Sequence, residues 1–123
     1  AGVDVTVTSL RSVKGKVIAC LTPHADGFPK CGGANSQEVS VSADAREIHF
    51  TFAGVAPGRY AIALLHDEND NGKMDKSLLL IPKEGYGFSR DAPVRMGPPK
   101  FDAAAFDVNG ETVSQTIRMR YMV

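Results

Sequence analysis

Apolar and polar residues alternate one by one along much of the chain. Segments 3–8, 47–52 and 112–123 follow this period of two, which predicts strands with one face on a core and the other in water. Segments 17–21 and 60–65 are apolar at nearly every position, and this predicts central strands that are covered on both faces. No segment shows a helical period over three turns, so the pattern indicates an all-β protein.

Turn residues separate the predicted strands, and shorter strand patterns near residues 39–41 and 106–108 complete a set of about seven or eight. The strongest turn signal is Asn109–Gly110, because Asn-Gly between two strand patterns is typical of a two-residue hairpin turn. Short strands at this spacing predict an antiparallel β-sandwich. A length of 123 residues suits one domain and is too short for two, so we expect a single domain over residues 1–123.

One stretch, residues 82–100, breaks the alternation with four prolines and three glycines. Loops of this length are uncommon in compact domains, and they are usually either functional or disordered. The aromatic residues Tyr86, Phe88 and Phe101 argue against disorder, since disordered segments are poor in such side chains. We therefore expect an ordered loop that packs over one end or edge of the sandwich.

Positive and negative charges balance in this sequence, with 14 Lys and Arg residues against 14 Asp and Glu residues. Nucleic-acid binding needs a basic surplus, so we expect no nucleic acid as a partner. No apolar run approaches the roughly 20 residues that a membrane-spanning helix needs, so we expect no membrane span. The sequence begins with Ala1 and Gly2, small residues of the kind found at signal-peptidase cuts, which is consistent with an exported protein; a remnant of a cloning sequence is the alternative.

The chain has two cysteines, Cys20 and Cys31, and ten residues separate them. That spacing, with no further cysteine near, disfavours a metal or redox pair. A disulfide would pin the loop around residues 23–30 onto a strand, and it would place the domain in an oxidising compartment. Two free buried thiols in a cytosolic protein are the alternative.

The most informative segment is the acidic loop, residues 67–75. Calcium binds about six to eight oxygen atoms from carboxylates, amides and backbone carbonyls, and ligands at alternate positions let a curling loop aim them at one centre. The residues predicted to bind calcium on this spacing are Asp67, Asn69, Asn71, Lys73 (through its carbonyl) and Asp75. Gly72 stands at the sixth position, where the sharp turn is needed.

The acidic loop matches only the first half of a helix–loop–helix calcium site. Its twelfth position is Leu78, where such sites carry a glutamate that gives two oxygens, and its flanks have the pattern of strands. With Asp67 and Asp75 as charged ligands we expect weak binding, with a Kd on the order of 10⁻⁴–10⁻³ M. A metal-free turn is the alternative, because Asn and Asp bond to their own backbone in turns. Zinc fits less well, since amides are poor zinc ligands and only His66 is near.

Polar and aromatic side chains in and around the long loop are candidates for a ligand pocket. They are His66, Glu84, Tyr86, Phe88, Arg90, Arg95 and Phe101. Together they offer polar groups to orient a small ligand and apolar walls to hold it. The alternative is an ion-pair and packing network that simply fixes the loop. His66 beside Asp67 also has the form of a general base with its orienting group, but no motif ties a Ser or Cys nucleophile to it, so we expect no enzymatic activity.

Two longer motifs extend over the acidic loop and the segment after it. The first is His-Asp-Glu-Asn-x-Asn-Gly-Lys-x-Asp at residues 66–75, and the second is Ile-Pro-Lys-Glu-Gly-Tyr-Gly-Phe-Ser at residues 81–89. Shorter supporting pieces occur at residues 10–12, 14–15, 27–29, 57–60, 97–101 and 105–106. In these motifs the chain resembles a family of bacterial exported domains of unknown function. The resemblance implies an exported immunoglobulin-like or prealbumin-like sandwich, and it implies no particular activity.

Three hypotheses for the function follow. The first is a periplasmic or secreted, non-catalytic binding or structural module with a weak calcium site, whose partner would be another exported protein. The second is a carrier of a small apolar ligand held under loop 82–101. The third, an enzyme that uses His66, is the weakest because a nucleophile is missing. A solid core under the long loop would favour the first hypothesis, and a hydrophobic cavity there would favour the second.

Overall fold

The computed structural model describes residues 1–68, 85–94 and 98–121. The strands in these ranges are β1 (Val3–Thr8), β2 (Lys16–Thr22), β3 (Gln37–Ser42), β4 (Ile48–Phe52), β5 (Gly58–Asp67), β6 (Gly85–Phe88), β7 (Phe106–Val108), β8 (Val113–Arg118) and β9 (Arg120–Tyr121). A 3-10 turn covers Ser89–Asp91, and one turn of α-helix, α1, covers Phe101–Ala104. None of the helical segments in the described ranges is long or apolar enough to cross a membrane.

Three strands form the smaller of two sheets, in the order β4–β1–β8. Strand β1 pairs antiparallel with β4 and parallel with β8. The alternation predicted for β1 is confirmed, since Val3, Val5 and Val7 are buried while the residues between them are at least partly exposed. The buried face joins one apolar core with residues of the other sheet. The predicted all-β sandwich is therefore confirmed.

The larger sheet has the order β3–β2–β5–β6–β9, and β7 pairs with the first residues of β5. Its central strands β2 and β5 are buried along almost their whole length, as their apolar sequences predict. Ala19 and Leu64 face the core between the sheets, whereas Ile18 and Cys20 face a second apolar cluster on the other side of the sheet. Alternation disappears in these strands because both of their faces are covered.

We call this second apolar layer the outer cluster. It consists of Ile18, Cys20, Ala61, Ala63, Leu65, Tyr86, Phe88, Ala92, Phe101, Ala104 and Ala105, with Phe28, Cys31 and Val94 packed against it. The described parts of the long loop, residues 85–94 and 98–100, are thus ordered, as expected. Residues 85–88 form β6 within the larger sheet, while Ala92 and Val94 pack over its outer face rather than an end or edge. The outward side chains of β2 and β5 are apolar and gain free energy from leaving water.

One predicted turn is wrong. Asn109–Gly110 does not close a hairpin, since β7 pairs with β5 in the larger sheet and β8 pairs with β1 in the smaller one. The turn carries the chain between the sheets, and this placement lets the side chain of Ile117 enter the core between them. The described strands number nine, slightly more than expected, because the last alternating segment divides at Met119 into β8 and β9.

The disulfide alternative for the two cysteines is confirmed, since Cys20 and Cys31 are bonded. Cys20 lies in β2 and Cys31 lies in the connection between β2 and β3. A covalent loop of this size stabilises a fold by about 3 kcal/mol in the chain-entropy account. The bond fixes residues 23–36, which we call the disulfide loop, to the outer face of the larger sheet.

Candidate functional site at the root of the acidic loop

Strand β5 leads directly into the acidic loop, and two other segments meet it there. These are the connection between β1 and β2, residues 9–15, and strand β9. Side chains from the three segments form one connected polar group, which we call the clamp. Its members are Arg11, Ser12, His66, Glu68 and Tyr121.

Strand register brings the two rings of the clamp together. His66, Gly85 and Tyr121 lie in one row across β5, β6 and β9. A Cβ atom on Gly85 would lie 2.4 Å from the Tyr121 ring, far inside van der Waals contact. The absence of a side chain at Gly85 therefore lets the Tyr121 ring lie across β6 and place its hydroxyl 2.6 Å from Nδ1 of His66.

His66 is fully buried and both of its ring nitrogens have partners. Nε2 lies 2.8 Å from the carbonyl oxygen of Lys14, which can only accept, so Nε2 carries a proton and donates it. In the neutral ring Nδ1 then accepts from the Tyr121 hydroxyl. That hydroxyl accepts in turn from the backbone N–H of Arg11, at 3.1 Å. These hydrogen bonds therefore run from the Lys14 carbonyl through His66 and Tyr121 to the Arg11 N–H, and they hold the connection of residues 9–15 at two points.

Glu68 fixes the same connection through side chains. Its Oε1 accepts from Arg11 at 2.6 Å (Nη2) and 3.1 Å (Nε), and its Oε2 accepts from the Ser12 hydroxyl at 2.6 Å. The Arg11 guanidinium also lies over the Tyr121 ring, 4.5 Å from its centroid, a favourable cation–π distance. Both carboxylate oxygens of Glu68 are therefore occupied just where the acidic loop begins.

The clamp alters the protonation of its own groups. The hydrogen bonds from Arg11 lower the pKa of the Glu68 carboxyl, and they outweigh the opposite effect of partial burial. The same bonds raise the pKa of Arg11. Burial raises the pKa of the Tyr121 phenol. Each shift favours the form that the hydrogen bonds require, a carboxylate beside a guanidinium and a neutral phenol.

Gly15 makes possible the close approach between the β1–β2 connection and the end of β5. Its φ is +69°, and a Cβ atom there would lie only 2.0 Å from the backbone carbonyl oxygen of Asp67. Any other residue would collide with backbone at the end of β5, and it would also have to adopt a left-handed conformation. The close approach of these two backbones therefore requires glycine at this position.

One of the five predicted calcium ligands lies among the described residues. Asp67 is the last residue of β5, is fully buried, and stands opposite Lys16 of β2 in the strand register. The other four ligands, Asn69, Asn71, Lys73 and Asp75, lie outside the described residues. Within residues 1–68, 85–94 and 98–121, no three His, Cys, Asp or Glu side chains converge into a metal-binding group.

The structure divides the predicted pocket residues between different environments. Tyr86, Phe88 and Phe101 are buried together in the outer cluster. His66 belongs to the clamp. Arg90 is exposed in the 3-10 turn with φ +58°, and its N–H donates to the side chain of Gln115 at 2.8 Å. Two further candidates, Glu84 and Arg95, lie outside the described residues.

Four members of the clamp are not predicted as site residues from the sequence, although one of them, Glu68, lies within the acidic loop. Arg11 and Ser12 belong to the short piece at residues 10–12 that supports the family resemblance, so a signal for them is present. The alternation of the last strand predicts Tyr121 as a core residue, so the pattern does not indicate its role in the clamp. Its meeting with His66 depends on pairing across β6, a contact between distant parts of the chain that local pattern does not reveal.

Comparison with known protein families matches residues 5–116 to one family, described as "Uncharacterized protein conserved in bacteria (DUF2141)". No curated protein and no solved structure matches the chain. The matched range includes the connection that carries Arg11 and Ser12 as well as the whole acidic loop.

Proposed function

The chain belongs to the bacterial family DUF2141, and we propose that it is an exported, non-catalytic binding or structural module whose acidic loop binds calcium weakly. The observation that carries the proposal is the clamp, which anchors the first residues of the acidic loop to two neighbouring segments. An anchored loop loses less conformational freedom when a ligand binds. Anchoring therefore supports a loop that is arranged to receive an ion.

The surroundings of His66 support a structural role for the one histidine that has the form of a general base. The ring is fully buried, and each nitrogen already has a hydrogen-bond partner. A general base needs a nitrogen within hydrogen-bond reach of a substrate proton. Here the nitrogens serve to hold Tyr121 and the Lys14 carbonyl, which agrees with a module that binds or supports rather than catalyses.

The position of Glu68 supports the predicted assignment of ligands in the acidic loop. Glu68 is the second residue of the loop, a position that provides no ligand when ligands occupy alternate positions. Its carboxylate is bound to Arg11 and Ser12, so calcium binding falls to Asp67 and the alternate residues after it. Two carboxylates among the ligands, from Asp67 and Asp75, fit a Kd on the order of 10⁻⁴–10⁻³ M, the range of extracellular calcium modules.

The disulfide supports export. Disulfides form and persist in oxidising compartments such as the bacterial periplasm and the cell exterior, and they are rare in the cytosol. Calcium sites of low affinity also suit such compartments, since sites of that affinity are typical of extracellular modules. The proposed location is therefore periplasmic or secreted.

A carrier of a small apolar ligand is the second candidate, and one observation favours it. A shallow depression on the surface is lined by Ala25, Phe28, Lys100, Phe101 and Asp102, at the border of the disulfide loop and the long loop. Against it, Ala92, Val94 and Phe101 pack with the outward side chains of the larger sheet in the outer cluster. This apolar packing favours the binding or structural module over the carrier.

Calcium titration of chelator-treated protein tests the proposal. At 10 mM calcium, well above the expected Kd, binding should release or absorb heat and raise the Tm by about 5–10 °C. Asp75→Asn should remove most of this response, because it neutralises a predicted ligand. Asp44→Asn makes the same chemical change at an exposed position outside the loop and should leave the response intact. If the unmodified chain shows no heat of binding and no change in Tm, the calcium site is ruled out.

A further inference from the structure

The disulfide loop places an aromatic ring over the apolar face of the larger sheet. The ring of Phe28 meets the rings of Phe88 and Phe101 edge to face, with centroids 5.9 Å and 5.8 Å apart. Phe88 and Phe101 are 1% and 9% exposed, whereas Phe28 is only partly buried. Phe28 is thus the outermost of the three rings and shields the other two from water.

Two kinds of link join the middle of the disulfide loop to that face. One is the ring contact of Phe28, and the other is the bond from Cys31 to Cys20, whose side chain belongs to the outer cluster. Within the described residues, the hydrogen bonds of this loop stay inside it, as between His24 and Ala34 at 2.7 Å, or join its base to Thr22 at the end of β2. Such bonds preserve the local shape of the loop but do not fasten its middle to the sheet.

We infer that the disulfide loop is a redox-sensitive cover, which keeps Phe28 seated on the outer cluster while the disulfide is intact and uncovers an apolar surface when the bond is reduced. Without the bond, the links that the described residues make between the loop and the sheet are the ends of the loop at β2 and β3 and the ring of Phe28. Losing a cross-link of this size favours the open loop by about a hundredfold. The rest of the fold persists, because the core between the sheets contains neither cysteine and the pairing of Cys20 with Glu38 and Ala63 is made by backbone groups that reduction leaves unchanged.

The chemical step requires a dithiol as the reductant. A thiolate of the dithiol attacks the sulfur of Cys31, the more exposed of the two cysteines, and the disulfide breaks as Cys20 leaves and takes up a proton. The second thiol of the reagent then displaces Cys31 from the mixed disulfide. The protein gains two electrons and two protons as two thiols, and the dithiol becomes a disulfide.

Hydrogen exchange followed by mass spectrometry, together with binding of the apolar dye anilinonaphthalene sulfonate, tests the inference on the whole chain. Treatment with dithiothreitol should speed exchange in residues 23–36 by up to about a hundredfold and increase dye fluorescence, with exchange in β1 and β5 unchanged. Removal of the reagent and reoxidation should reverse both effects. The double variant Cys20→Ala/Cys31→Ala should behave like the reduced protein without any reagent.

Two further variants distinguish local opening of the disulfide loop from a general loosening of the fold. Phe28→Ala with the disulfide intact should increase dye binding, because it removes the outermost ring. Val13→Ala changes an exposed apolar residue elsewhere and should change neither readout. Unchanged exchange and dye binding after verified reduction would overturn the inference. So would a common rise of exchange in all strands, since the disulfide would then support the entire fold rather than one loop.

Discussion

Replacing Tyr121 with phenylalanine removes the central hydroxyl of the clamp while keeping the ring. The hydroxyl donates to Nδ1 of His66 at 2.6 Å and accepts from the backbone N–H of Arg11 at 3.1 Å. His66 is fully buried, so its Nδ1 would be left without a partner and away from water. The Arg11 N–H is exposed and can bond to water instead, so the cost comes mainly from His66.

The expected loss is about 2 kcal/mol, since leaving a buried polar group unsatisfied costs roughly 1–3 kcal/mol. Unfolding entropy scales with length, and for this chain 2 kcal/mol corresponds to a fall in Tm of about 8 °C. Urea denaturation measures the loss directly. The midpoint should fall with the slope m unchanged, because the amount of surface exposed on unfolding stays the same.

Tyr60→Phe is the matched control. The Tyr60 hydroxyl donates to one backbone carbonyl, that of Ala56, at 2.7 Å, and this carbonyl belongs to a turn that water can reach. The same chemical change should therefore cost only about 0.5–1 kcal/mol. If Tyr121→Phe costs no more than Tyr60→Phe, the hydroxyl of Tyr121 does not hold the clamp together, and the reasoning about His66 is refuted.

Two further predictions concern the same region. Gly15→Ala should destabilise the fold by about 3 kcal/mol or more, because the new Cβ would collide with the Asp67 carbonyl. The control Gly54→Ala, at φ +64° with open space around it, should cost only about 1 kcal/mol. Equal losses of stability in urea denaturation would contradict the close approach at Gly15. The pKa of Glu68 is lowered in the folded chain, so Glu68 should contribute about 1 kcal/mol to the free energy of unfolding. This contribution should be fully present above the pKa of Glu in the unfolded chain, about 4.3, and should be lost as the pH falls through the lower pKa of the folded chain. Glu68→Gln should flatten that part of the stability–pH curve, and an unchanged acid limb would show that Glu68 does not contribute.

The strands could be predicted from the sequence because burial on one or both faces leaves a direct trace in the residue pattern. The alternation of β1 and the continuous apolar runs of β2 and β5 both reflect the layers that cover them. The path of the chain after residue 105 could not be predicted in the same way. Asn-Gly permits a tight turn but does not determine whether the next strand pairs with its neighbour or crosses to the other sheet.

The candidate site was predictable only in part. His66 and the acidic loop stand out because their residue types suggest chemistry within a short segment. The partners of His66 come from residue 14 and residue 121, and they meet it only after β6 and β9 have paired. Gly85 illustrates the difficulty. It must lack a side chain because the ring of Tyr121, 36 positions later in the chain, packs directly against it.

We propose that the acidic loop binds calcium and that the clamp anchors it. The most direct measurement is an NMR titration of the isotope-labelled, chelator-treated chain with calcium, which reports on each backbone amide separately. We expect saturable shifts concentrated in residues 67–75, smaller shifts at the clamp residues Arg11 and Ser12, and none of these in Asp75→Asn. Shifts spread over exposed acidic residues without saturation, or no shifts at 10 mM calcium, would contradict it.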